Sequence, residues 1–148
     1  MVAITARFAI DWYCRHTWRR ASKNTAWCLL GCAIGDFGTI AFFQFTGIPW
    51  PTPAIMVLAI VNGLLTSIAL ETAILARQME LRAAFRTAIG MSFIAMVAME
   101  TTMNAVDWAL TGGAVLTWWV VPIMLAAGFI TPLPYNYWRL KALGKACH

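Results

Sequence analysis

Residues 24–46 read NTAWCLLGCAIGDFGTIAFFQFT, a run whose only charge is Asp36. A helix crossing the ~30 Å hydrocarbon core of a bilayer needs about 20 mainly apolar residues, and this run is long enough. Three more stretches follow the same rule. Residues 54–76 carry Glu71 near their end, residues 87–110 carry Glu100 and Asp107, and residues 114–133 carry no charge. Between the first two lies Gly47-Ile48-Pro49-Trp50-Pro51-Thr52-Pro53, where three prolines cannot continue a helix. Gly112-Gly113 separates the last two, and 77–86 is a polar link with three arginines and Glu80. The expected fold is all-α: an integral membrane four-helix bundle spanning 24–138, with the lipid bilayer as its principal partner.

Composition agrees with this division. Of 148 residues 61% are hydrophobic and 11% charged, and mean hydropathy is +0.70. A soluble domain carries about 25% charged residues, so a soluble enzyme of this size is excluded, and disorder with it. The net charge of +5 forms no groove-binding patch, so no nucleic-acid partner is expected.

The basic residues are distributed unevenly. Arg7, Arg15, Arg19, Arg20 and Lys23 precede the first run; Arg77, Arg82 and Arg86 lie between the second and third; Arg139, Lys141 and Lys145 follow the fourth. The other two connections have no Lys or Arg. Short loops rich in these residues stay cytoplasmic, which predicts a multi-pass protein of the cytoplasmic membrane with both termini inside. Residues 1–23 are expected to form an interfacial amphipathic helix, because Ile4, Phe8 and Trp12 recur at i+4 beside a line of Arg7, Asp11 and Arg15. Residues 139–148 are expected to be a cytoplasmic tail.

Carboxylates in membrane helices are costly, about 2.5–3.5 kcal/mol each on the insertion scale, and mark functional sites when they face a bundle interior. At 1.5 Å per residue Asp36 stands about 20 Å beyond Lys23, Glu100 about 21 Å beyond Arg86, and Asn62 about 22 Å from Arg77. The three should share one level. Glu71, only about 9 Å from Arg77, is expected to reach towards the cytoplasmic interface. Cys28, Cys32 and Asp36 align at i, i+4, i+8, beside Gly31 and Gly35. So do Ser92, Met96, Glu100 and Asn104, while Ala59, Gly63, Ser67 and Glu71 line the second run. Small residues allow close helix approach, which would bring Asp36 and Glu100 to a common site. Lacking an intramembrane Lys or Arg, the pair either shares a proton or holds a cation. Met96, Cys28 and Cys32 would add soft ligands and favour a transition metal, copper or zinc, with Asn104 completing the shell. A secondary metal site is conceivable from Cys14, His16, Cys147 and His148, which hold both histidines.

Catalytic motifs do not emerge. Nucleophilic catalysis needs a His near its nucleophile, and no His lies within an apolar run. The chain is therefore not expected to be an enzyme.

At Cys28-Leu29-Leu30-Gly31-Cys32-Ala33-Ile34-Gly35-Asp36 the sequence resembles a bacterial membrane family catalogued as domain of unknown function 4396. The likeness continues in Met99-Glu100-Thr101-Thr102-Met103-Asn104 and Pro134-Tyr135-Asn136-Tyr137-Trp138-Arg139, covering most of the chain from Trp18 onward. Where many members open the first motif with His-Cys, this chain has Trp27-Cys28; where an acidic residue precedes the Asn of the second, it has Met103-Asn104. The resemblance implies a small multi-helix protein of the bacterial inner membrane, without an established activity.

Taken together, the expectation is a membrane protein that binds, and in one reading transports, a cation at the Asp36–Glu100 site as a homo-oligomer. The rivals are a structural or assembly subunit of a larger membrane complex, and a proton-handling carboxylate pair without metal.

Overall fold

The computed structural model describes residues 12–142, and those residues form helices and connections without strands. The helices are α1 (Arg15–Thr46), α2 (Thr52–Leu75), α3 (Leu81–Thr111), α4 (Val120–Ile130) and α5 (Leu133–Ala142). Among them α1 and α2 are long and apolar enough to cross a membrane, and α3 joins them if its two arms count as one span. Those arms, Leu81–Gly90 and Ser92–Thr111, meet at 54°, where Gly90 weakens the helix.

Helix α1 ends where expected. Gly47 takes the left-handed conformation (φ 66°) and its N–H closes on Phe43 O at 3.1 Å, a cap that L side chains resist. Pro51 then precedes α2 and Pro53 sits in its first turn, where a missing N–H is harmless. The start of α1 differs from expectation. Nothing between Arg15 and Thr46 breaks a helix, so residues 15–23 are continuous with the helix over 24–46 instead of forming a separate one. The Ile4 and Phe8 part of that expectation lies outside the described residues.

The fourth span is also corrected. Instead of a helix over 114–133, the chain is irregular until Val120 and then helical for 11 residues, about 16 Å. Side chains claim the backbone that a longer helix would use. Asp107 Oδ2 accepts the Val115 N–H at 3.1 Å, while Gln44 accepts the Leu116 N–H at 3.0 Å and donates to Leu116 O at 3.3 Å. Pro122, with no N–H to give the carbonyl of Trp118, blocks extension backwards. Beyond Pro132, α5 continues as helix through 139–142, the first residues of the expected tail. Tyr137 and Leu140 bury against Ala21 of α1, and Trp12 and Trp18 pack on the Tyr137 ring at 5.0 and 4.3 Å.

Helix α1 packs along α2, α2 along α3, α3 along α4, and α5 returns to the N-terminal turns of α1. The core therefore lies between α1, α3 and α4, with Cys28, Cys32, Met96, Met99, Met103, Val120 and Met124 buried together. Close approach of α1 to α2 is tied by polar side chains: Thr66 Oγ1 donates to Gly31 O (2.6 Å) and Asn62 Nδ2 to Thr39 Oγ1 (2.8 Å).

Candidate functional site

Asp36, Glu100 and Asn104 meet in the core, as their helical spacing predicted. Glu100 and Asn104 are one turn apart on α3, and Asp36 faces them from α1. All three are buried, Asp36 and Glu100 completely. Asn104 Nδ2 donates to Asp36 Oδ1 at 3.1 Å and also to the Glu100 carbonyl at 3.0 Å. These two bonds fix the amide between the helices. The remaining oxygens are unsatisfied: Asp36 Oδ2, both Glu100 Oε atoms and Asn104 Oδ1 have no hydrogen-bond partner among the described residues. Four buried acceptors without a well-formed hydrogen bond are unusual, since buried polar groups are nearly always paired.

Glu100 reaches this position because position 63 on α2 is glycine. A Cβ there would overlap Glu100 Oε1 and stand 2.9 Å from Oε2. The carboxyl group thus occupies the space that a side chain on α2 would fill. Cys32 approaches Glu100 from α1. Cys28 Sγ lies 3.6 Å from Ser67 Oγ, which also donates to Cys28 O at 3.2 Å. Met96 is buried in the same cluster.

Asn62 does not join them. Its backbone runs beside Gly35, but its amide turns to Thr39, so the shared level seen in the sequence does not become a shared site. Of the residues expected to hold copper or zinc, Asp36, Glu100, Met96, Asn104, Cys28 and Cys32, the acidic and thiol side chains do not form a cluster. Among the described residues no three His, Cys, Asp or Glu side chains come together closely enough to hold a metal ion. The reason is that Asp36 turns to Asn104 while Cys28 turns to Ser67. At the end of the bundle Cys14 precedes α1, its N–H bonded to Tyr137 OH at 3.2 Å, and His16 is exposed. Cys147 and His148 lie outside the described residues, so the secondary metal site is described only in its first half.

Three further side chains belong to the functional geometry. Asp107 is fully buried one turn beyond Asn104, lies near enough to act electrostatically on Asp36, and is satisfied by Val115 N and Thr111 Oγ1. Its i+7 spacing from Glu100 was the available signal. Ser67 lies between Gly63 and Glu71 on one line of α2. Arg139 of α5 is buried, and Glu71 interacts with it electrostatically. Nothing in the local sequence marks Arg139, because a C-terminal arginine after an apolar run reads as an exposed flank.

Helices long and apolar enough for a membrane, packed around a buried acidic centre, define the class: an all-α protein with candidate membrane spans and carboxyl groups buried between its helices. Within it, the chain belongs to the family described as domain of unknown function (DUF4396), whose model matches residues 17–145. No curated protein and no solved structure matches it.

Proposed function

We propose that this chain is a multi-pass membrane protein that binds and exchanges a cation at the Asp36–Glu100 pair, and that the cation is the proton. The observation that carries the reading is the pair of fully buried carboxyl groups, Asp36 and Glu100, whose only close donors are the Asn104 amide on Asp36 Oδ1 and the weak Cys32 thiol beside Glu100 among the described residues. Two adjacent buried carboxylates cannot both stay charged without compensation. The buried arginine stands with Glu71, not with this pair. A proton on one carboxyl group supplies the missing donor and removes a charge at once. Asn104 anchors Asp36 through its amide while Glu100 has only the weaker Cys32 thiol beside it, an asymmetry suited to a group that gains and loses a proton.

A bilayer crossing puts α1, α2 and both arms of α3 in lipid, and the exposed irregular segment before α4, held by Asp107 and Gln44, at the membrane face away from the basic segments. The basic segments fall on the cytoplasmic side. A second reading, binding of copper(I), has its own support in the soft donors Cys28, Cys32, Met96, Met99, Met103 and Met124 gathered in one buried cluster.

The test is pH-gradient-driven proton uptake by proteoliposomes carrying the full chain, with copper(I) titration beside it. The proton reading expects flux in the parent and none in Asp36→Asn or Glu100→Gln. Flux equal to the parent in both variants refutes it, and stoichiometric copper(I) binding abolished by Met96→Leu supports the second reading instead.

A further inference from the structure

At the end of the bundle where the three basic segments meet, a cavity of about 130 Å³ opens between α1, α2, α3 and α5. Arg139 lines it and is only 7% exposed, and its Nε and Nη1 atoms have no hydrogen-bond partner among the described residues. A guanidinium left this way is strongly unfavourable unless an anion meets it. Its planar fork matches the paired oxygens of a phosphate or carboxylate. Glu71 lines the same cavity, approaching both Arg139 and Ser92. The cavity therefore presents one charge of each sign. A simple anion on Arg139 would lie against the Glu71 carboxylate, whereas a ligand carrying its own cation beside its anion satisfies both.

Position narrows the ligand further. The rim residues Asn24 and Thr87 directly follow Lys23 and Arg86 in the chain, and Glu71 is about 9 Å by helical rise from Arg77. In a bilayer this is headgroup level. Trp27, 44% exposed, stands at the cavity where an indole face attracts an ammonium group. Ile74 and Leu75 give the rest of the wall an apolar surface.

We propose that this cavity holds the headgroup of a zwitterionic phospholipid of the phosphoethanolamine type. Arg139 takes the phosphate through Nε and Nη1, Glu71 and the Trp27 ring face the ammonium, and the acyl chains leave along Ile74 and Leu75. The inference rests on the membrane reading above but not on the Asp36–Glu100 site. A chain that fails to insert in membranes refutes the former; an inserted chain without lipid preference refutes only the headgroup site.

Native mass spectrometry of the full chain, released from equimolar phosphatidylethanolamine and phosphatidylglycerol, tests it. The expected result is one phosphatidylethanolamine retained per chain in preference to phosphatidylglycerol. Arg139→Gln should reduce retention about 10- to 100-fold, and Arg139→Lys less, because the charge stays and the fork is lost. Glu71→Gln should keep phospholipid bound but abolish the headgroup preference, a change that a purely structural role for Glu71 would not produce. Equal retention by the parent and a folded Arg139→Gln overturns the proposal, as does parental indifference to the headgroup. Competition by soluble phosphoethanolamine as effective as that by the lipid overturns the lipid assignment in favour of a soluble phosphate ester.

Discussion

Replacing Gly63 by Ala is the smallest change that reaches the acidic centre. The added methyl on α2 would overlap Glu100 Oε1 and lie 2.9 Å from Oε2, inside van der Waals contact. Glu100 is fully buried between α1, α2 and α3, so its carboxyl group must rotate away or the two helices must part. Overpacking of this kind costs about 1–3 kcal/mol, and about 2 kcal/mol is roughly a 30-fold change in the folding equilibrium. The assay is reversible unfolding in mixed micelles followed by tryptophan fluorescence, run as a cycle with Glu100→Ala. Truncating Glu100 empties the space that the new methyl enters, so Gly63→Ala should be nearly neutral in that background. The coupling between the two changes should be at least about 1 kcal/mol, well above the ~0.5 kcal/mol within which independent sites add. Additive effects would refute the contact, and with it the placement of Glu100 in the inter-helix space.

Other expectations follow from the same geometry. Asn104→Leu removes the hydrogen bond to Asp36 Oδ1 and should cost about 1–3 kcal/mol, measured by the same unfolding assay; a neutral result would mean that Asp36 finds another partner. Asp107→Ala releases the Val115 N–H and should accelerate hydrogen exchange across 113–119 while leaving α1 and α2 protected. Single cysteines at Thr52 and Gly112 should label with a membrane-impermeant thiol reagent from outside the cell and one at Lys145 only after permeabilisation; the reverse pattern inverts the proposed orientation.

Much of the fold was legible because helical periodicity and prolines act locally. The end of α1 at Gly47, the Pro-rich turn and the facing of Asp36 and Glu100 all follow from spacing along single helices. What was not legible depends on partners distant in sequence. The helix over 114–119 is lost to Asp107 and Gln44, and Gln44 lies 72 residues away from Leu116. The N-terminal turns of α1 are covered by Tyr137 and Leu140 from the other end of the chain, contacts that no amphipathic pattern encodes. Depth arithmetic placed Asn62 at the right level but could not give its azimuth, which Thr39 decides. Alignment of Cys28, Cys32 and Asp36 on one helix face does not make their side chains turn to one point: Asp36 turns to Asn104 and Cys28 to Ser67.

The central claim is that one of two adjacent buried carboxyl groups carries an exchangeable proton. Infrared difference spectroscopy of the full chain in lipid, recorded across neutral pH, reads the carbonyl stretch of a protonated carboxylic acid directly. The account predicts such a band in the parent at neutral pH, bleached on raising pH and altered in both Asp36→Asn and Glu100→Gln, because the proton belongs to the pair. A parent with no protonated-acid band at neutral pH, or a band that both variants leave unchanged, contradicts it.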